Sequence, residues 1–517
     1  MKRAQLVSYG TLLRIRQQAQ RAFENRNLHE CITALERLHR LSPGDPDVLT
    51  RLGWIHGLRY DYKAAEKCFE KAIRLAPVAS KAETIAAAGQ YARDFADSWL
   101  AEKYLTLALN EPNATPEMFI KLAEFCERRG RMEEAHNLVE RALSLDPSSP
   151  VALFARAHLQ HRAKHLEDAE RILRSLLSLQ NHLETRVRAW YELGAILDRQ
   201  GRYEEAMNAF CAAKQLLQQE ASVHLTGRQM VWKQVNRMRD EVSAAVFRRR
   251  HELRGGFQPI PRLVLLGGHP RSGTTLLEQV IDSHAEIVSA EETDLFSDHV
   301  GGPLQRSCPP QTPILQFLEA AGQELIQACR RNYFRAAELH LGEPIGTRTL
   351  VDKNPSLTMR VWDLVRAFPE ISFLIALRDP RDVVLSCFMQ PFFPVRQVTA
   401  TYLDLGTAAE EYATLMGVWT RVAPMLPNPH LEVRYEDMVE DLESVARQVL
   451  EFLGLPWDEK VLGFDEHARQ KRVRSPTYAD VTQKIFTRAV GRWRNYQKYL
   501  EPHLAKLEPF VKAFGYE

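Results

Sequence analysis

The chain has 517 residues, enough for two to four domains. Its 68 Lys and Arg against 66 Asp and Glu give no basic excess of the kind a general nucleic-acid binder carries. It contains no apolar run of about 18 residues, so no membrane span is expected, and the start, "MKRAQLVSYGTLLRIRQQAQRAF", is too polar after Val7 for a secretory core.

Up to Leu216 one template recurs, in "AAEKCFEKAIRLAP" (64–77), "EAHNLVERALSLDP" (134–147) and "EAMNAFCAAKQL" (205–216). A small residue is followed by a large apolar one, usually by Ala, and often by Pro. The small residues are Cys31, Ala65, Ala101, Ala135, Ala169 and Ala206, at spacings of 34, 36, 34, 34 and 37. Gly53 and Gly194 stand twelve residues before Ala65 and Ala206. The pattern resembles the tetratricopeptide repeat, two antiparallel helices per unit of 34 residues, with Ala or Gly where the helices cross. About six repeats, residues 1–216, imply an α-solenoid that recruits an acceptor protein, peptide or glycan and does no chemistry itself.

Residues 218–254 read as polar helix, including "RRR" at 248–250, and are expected to close the open end of the repeats. "GGFQPIPR" (255–262) reads as a linker, so 217–257 is taken as cap and linker and 258–517 as a second domain. The seven cysteines show neither C-x-x-C nor metal-ligand spacing, and a reducing cytoplasm with no metal is expected.

From Arg262 onward short apolar runs alternate with helical stretches. The runs are "RLVLL" (262–266), "RTLVD" (348–352), "ISFLIAL" (371–377) and "HLEVRY" (430–435). Such alternation implies a mainly parallel sheet with helices on both faces, and ligands beyond its C-terminal strand ends. The first run enters "GHPRSGTT" (268–275), a phosphate-loop spacing in which Thr274 holds the place of the nucleotide-triphosphatase lysine. Amides at the following helix start, the Arg271 cation and the hydroxyls of Ser272, Thr274 and Thr275 suit a metal-free anion. A second anion site is expected at Arg378, directly after a strand, with Ser386 eight residues on.

"PRSGTTLLEQVIDSH" followed by "RDPRDVVLS" resembles the sulfotransferases, most closely the tyrosylprotein branch, and the likeness runs over roughly 258–517. The resemblance implies 3′-phosphoadenosine 5′-phosphosulfate as donor. Arg271, Ser272, Gly273, Thr274 and Thr275 would hold its 5′-phosphosulfate, and Arg378 and Ser386 its 3′-phosphate. "SAEET" (289–293) and "DKNP" (352–355) match two more segments of that branch. They imply Glu292 as general base and Lys353 as the cation on the bridging oxygen and sulfuryl group, with Arg271 sharing the charge on the leaving phosphate. Glu291, His284 and His269 are competing bases. Tyr435 and Arg492 are implied nucleotide contacts, and Ser475 a weaker one because its spacing departs from the family's. "FMQPFFP" (388–394) is either an aromatic loop at the acceptor mouth or a packed turn. The acceptor stays open among protein tyrosine, glycan, lipid and small phenol. A repeat adaptor with an inactive nucleotide-binding domain and a phosphate-loop kinase or hydrolase are the alternatives.

Overall fold

The computed structural model describes residues 9–24, 26–95, 98–179, 182–309, 312, 316, 321–393, 397–470 and 488–517. They form two compact units, Met1–Ile172 and Leu173–Glu517.

Six helix pairs open the chain: α1 (Tyr9–Glu24) and α2 (Leu28–Leu41), α3 (Pro46–Leu58) and α4 (Tyr62–Leu75), α5 (Lys81–Asp94) and α6 (Ser98–Ala108), α7 (Pro116–Arg128) and α8 (Met132–Leu145), α9 (Pro150–Arg162) and α10 (Leu166–Ser178), α11 (Leu183–Arg199) and α12 (Tyr203–Glu241). All six recurring small residues are buried. Their need for smallness is steric. A Cβ on Gly53 would lie 2.6 Å from the Phe69 ring, and one on Gly194 would lie 2.7 Å from the Phe210 ring. Proline at the first helical turn starts α3, α7 and α9, where a missing N–H costs nothing.

The unit boundary falls inside α10, so the pair α11–α12 belongs to the second unit. There α12 runs on for 39 residues without a break after the repeat template ends. Residues 218–241 are not a solvated cap. Trp232 and Val235 are buried, and Trp232 Nε1 donates to the buried Glu411 at 2.7 Å. Arg228 makes a bidentate pair with the same carboxylate. Helix α13 (Ala244–Glu252) follows and buries Phe247.

The sheet has five parallel strands in the order β2-β3-β1-β4-β5. They are β1 (Leu263–Gly268), β2 (Ile287–Glu291), β3 (Thr349–Lys353), β4 (Ser372–Leu377) and β5 (His430–Arg434). Strands β1 to β4 are buried along their whole length, and in β1 and β4 this shows in the sequence as an apolar run. Strand β2 was not among the expected strands. Its sequence "IVSAE" carries a single Ile-Val pair; it is an edge strand, held by its pairing with β3 and buried at all five residues. Val264, Leu266, Val351 and Leu374 pack on one face with Leu277, Val280 and Ile281 of α14 (Thr274–Asp282). The chain leaves β1 toward β3 and β2 on one side and returns to β4 and β5 on the other. The C-terminal end of β1 is therefore where the two halves of the sheet part, and loops there leave a crevice.

Candidate active site

The loop after β1 is built on glycine. Gly268 has φ 126°, and a Cβ there would lie 2.4 Å from the Ala376 carbonyl oxygen. Its amide donates to Thr358 Oγ1 at 2.8 Å, and that hydroxyl donates back to the Gly268 carbonyl at 2.9 Å. Ser272 Oγ caps the turn by donating to the His269 carbonyl at 2.7 Å. Gly273, at φ 95°, caps α14, and a Cβ on it would meet the Tyr435 ring at 2.7 Å. Thr274 and Thr275 are buried at the first turn.

Arg271 and Ser386, expected in two separate anion sites, touch. Arg271 Nε donates to Ser386 Oγ at 3.1 Å. Arg378 reaches across the same gap. Its Nη1 donates to the Arg271 carbonyl at 3.2 Å, its Nη2 to the Ala489 carbonyl at 2.5 Å, and its guanidinium lies 5.1 Å from the centre of the Tyr435 ring. The buried Nε of Arg378 has no partner among the described residues. A buried donor without an acceptor is costly, and an anion at this place would satisfy it.

On the other side of β1, the ends of β2 and β3 carry the carboxylates and the lysine. Glu291 pairs with Lys353 in the ladder, and Lys353 Nζ donates to Glu291 at 3.2 Å and to Glu292 at 2.8 Å. Successive residues of a strand point to opposite faces, so both carboxylates reach one amine only because the alternation breaks. The break is at Glu292, whose φ is +46°. The other described non-glycine residues with positive φ are Arg26, Tyr60, Lys164 and Arg271. The first three close helix ends. Arg271 and Glu292 close no helix. A left-handed backbone at a non-glycine residue costs of order 1–3 kcal/mol and clusters where function holds it.

Lys353 has no exposed side-chain area, and a third carboxylate, Glu278, lies 3.9 Å away. Burial alone would lower its pKa, but Glu292, Glu291 and Glu278 outweigh that and hold the ammonium charged, above the ordinary lysine range. Glu291 is enclosed, with 5% side-chain exposure, whereas Glu292 is open, at 41%. Of the two neighbours, Glu292 is the one open to solvent.

The histidines are occupied otherwise. His284 Nε2 lies 3.0 Å from the Pro456 carbonyl and Nδ1 accepts from the Glu286 amide at 3.1 Å, so both ring nitrogens are engaged by backbone. His269 is buried, its pKa pulled down to about 4 by that burial, and its Nδ1 lies 2.8 Å from the Pro270 carbonyl. Arg492 pairs with Asp198 at 2.7 Å. Ser475 lies outside the described residues, as does Pro394 at the end of the aromatic loop.

Four contributors carried no assignment from the sequence. Thr358 holds Gly268. Glu278 backs Lys353 from α14. Asp198 pairs with Arg492. Asp382 accepts from the Gly491 and Trp493 amides, both at 2.7 Å. Burial pushes Asp382 above the ordinary carboxylate range, with Arg378 pulling the other way. Only Asp382 had a signal, four residues after Arg378 in "RDPRD".

Residues 261–459 match the family model described as "Sulfotransferase family", and 46–78, 128–187 and 187–216 match tetratricopeptide-repeat models. The chain joins tetratricopeptide repeats to a sulfotransferase domain. An uncharacterized protein of Aquifex aeolicus is 26% identical over 396 residues, covering 74% of this chain and 49% of its own length. Protein-tyrosine sulfotransferase A of Caenorhabditis elegans is 27% identical over 221 residues, covering 41% of this chain and 54% of its own. The chain thus spans about half the length of these relatives. The zebrafish protein-tyrosine sulfotransferase 1 is 28% identical over 271 residues, 49% of this chain and 72% of its own length. Among solved structures, the sulfotransferase domain of a Synechococcus olefin synthase covers 49% of this chain and 96% of its own at 20% identity and a TM-score of 0.36. The sulfotransferase domain here thus has two polar clusters flanking β1. Among the described residues no helix is long and apolar enough to cross a membrane.

Proposed function

We propose that the second unit transfers a sulfuryl group from 3′-phosphoadenosine 5′-phosphosulfate to a hydroxyl acceptor. The observation that carries this reading is the pairing of two unlike clusters across β1. Arg271, Ser386 and Arg378 form a cationic, hydroxyl-bearing cluster on the β4 side. Glu292 and Lys353 form a charged pair on the β3 side. The donor supplies the sulfuryl group; the residues do the rest. The 271–275 turn and α14 present amides and hydroxyls to the 5′ end, and Arg378 and Ser386 hold the 3′-phosphate. Tyr435 walls the crevice by packing on Gly273.

Glu292 takes the acceptor proton. Its left-handed backbone takes it out of the strand alternation, and the hydrogen bond from Lys353 orients it. Lys353 would be the cation that meets the sulfuryl oxygens of a bound donor. Protein tyrosine is the acceptor favoured by the names of the relatives, and the repeats recruit the protein that carries it.

Two substitutions test the division of labour. Glu292→Gln cuts turnover by roughly two to four orders of magnitude while nucleotide binding stays near normal. Arg378→Ala weakens adenosine 3′,5′-bisphosphate by roughly ten- to hundredfold in calorimetry. Near-normal turnover of Glu292→Gln, with Glu291→Gln inactive, overturns the choice of base. Equal wild-type affinity for adenosine 3′,5′-bisphosphate and ADP removes the 3′-phosphate site.

A further inference from the structure

The segment that ends on Arg378 is held from two directions. From the sheet side, Arg378 Nη2 donates to the Ala489 carbonyl at 2.5 Å, and Asp382 accepts the amides of Gly491 and Trp493, each at 2.7 Å. Gly491 has φ 68°, so the turn folds back tightly over the end of β4. From the other side comes α11 of the last repeat pair. Asp198 takes Arg492 with both oxygens, Nε at 3.2 Å and Nη2 at 2.7 Å, and also accepts from Tyr496 Oη at 2.6 Å. Its side chain is only 15% exposed, and the Tyr496 ring packs edge-on against Tyr203 of α12 at 5.5 Å. One carboxylate on a repeat helix thus fixes two side chains that bracket the turn lying on Arg378.

We propose that Asp198 is a positioning residue for the donor site, acting on the 3′-phosphate end through the 489–493 turn. The inference rests on the donor reading given above. Arg378 has two of its donors committed to backbone carbonyls, Arg271 and Ala489, and these contacts set the direction of the third, Nε. One of the two carbonyls belongs to the turn that Asp198 holds. When the turn loosens, Arg378 loses its Ala489 acceptor and keeps the Arg271 carbonyl and the Asp382 carboxylate 3.8 Å away, so Nε is less firmly aimed. Among the described residues no hydrogen bond or ion pair links Asp198 to the 271–275 loop or α14, whose tie to this network runs through Arg378, so the 5′ end of the nucleotide is expected to be affected far less. The last tetratricopeptide pair is on this view a working part of the donor site as well as the end of a scaffold.

The test is calorimetric titration of the full chain with adenosine 3′,5′-bisphosphate and, separately, ADP, which lacks the 3′-phosphate. Asp198→Asn is expected to weaken the bisphosphate by roughly tenfold, about the loss of one charge-assisted contact, and to leave ADP within twofold. Asp198→Glu, which keeps the carboxylate, is expected to restore most of the difference. Tyr496→Phe removes a single hydrogen bond and is expected to act in the same direction by roughly threefold, so the inference stays testable if Asp198→Asn folds poorly. An unchanged ratio of the two affinities in both Asp198→Asn and Tyr496→Phe overturns the inference. So does an equal loss for both ligands, which would mark Asp198 as a stability residue alone. A wild-type protein that binds the two nucleotides equally overturns the donor reading instead, and is recognised before any variant is made.

Discussion

Helix pairs α3–α4 and α11–α12 share an interior and differ outside it. In both, a glycine of the first helix lies against a phenylalanine of the second, Gly53 on Phe69 and Gly194 on Phe210, and a fully buried alanine, Ala65 or Ala206, lies in the same crossing. Outside, α3 carries ordinary repeat contacts. Arg51 pairs with Asp47 in solvent, and Trp54 stacks on Tyr91 of α5 with ring centres 4.8 Å apart. The second pair instead turns residues outside its crossing toward the sulfotransferase domain. Asp198 holds Arg492, Lys214 donates to the Tyr402 carbonyl at 2.6 Å, and Arg228 meets Glu411. The template therefore fixes how two helices cross and leaves open what they serve.

The widest test of that difference is truncation. A fragment beginning at Gly255 lacks Asp198, Lys214, Arg228 and Trp232, and is expected to be insoluble or unable to bind adenosine 3′,5′-bisphosphate. One beginning at His182 keeps all four and is expected to bind it as the full chain does. Nucleotide binding by the shorter fragment would show that α12 is dispensable to the domain.

Ion pairs should separate the two regions next. Glu411 is fully buried and serves Arg228 and Trp232, so Glu411→Ala strands a buried guanidinium and is expected to cost about 3–5 kcal/mol in urea unfolding of the second unit. Asp47→Ala breaks an exposed pair and is expected to cost about 0–1 kcal/mol. Similar losses at both positions would erase the contrast.

The shared interior predicts equality. Gly53→Ala and Gly194→Ala each drive a methyl into a phenylalanine ring, and each is expected to cost about 1–3 kcal/mol. A large difference between them would mean that the two crossings are not equivalent after all.

The smallest effect is a slope with pH. Lys214 is buried against the Phe388 and Tyr191 rings, and that burial pulls its pKa down to about 7. Between about 7 and the unfolded lysine value the unfolded chain holds a proton that the folded chain has released. Stability of the second unit should then rise with pH over that window, and fall as pH drops through it. Lys214→Met is expected to flatten the slope in thermal unfolding followed at several pH values, and an unchanged slope would assign it to another group.

Much of this arrangement was legible in the residues. The repeat period gave every helix crossing, because a small residue at a crossing has no substitute. Four of five strands were readable: β1, β3 and β4 carry the apolar residues that burial on both faces demands, and β5 was read although only Val433 in it is buried. The loop 268–275, Arg378 and Ser386 were read as candidate anion sites because glycine, cations and hydroxyls stand together there at strand ends, and the structure brings Arg271, Arg378 and Ser386 together. What escaped depends on long-range register. Glu278 meets Lys353 only after β2 and β3 pair, and Asp198 finds Arg492 across 294 residues. The direct contact of Arg271 with Ser386 was hidden for the same reason, since adjacency of β1 and β4 is a property of the sheet.

The continuous helix α12 has a consequence for how the protein is made. Arg228 and its carboxylate Glu411 are separated by 183 positions in the chain. A ribosome adding about 5–20 residues per second needs roughly ten to forty seconds to supply the second after the first. Through that interval the distal turns of α12 carry Trp232 and Val235 with nothing to bury them. The repeat half of the helix can set against α11 at once, while its other half waits. Nascent chains stalled before residue 411 are accordingly the stage at which this protein is most exposed to aggregation and most in need of a chaperone.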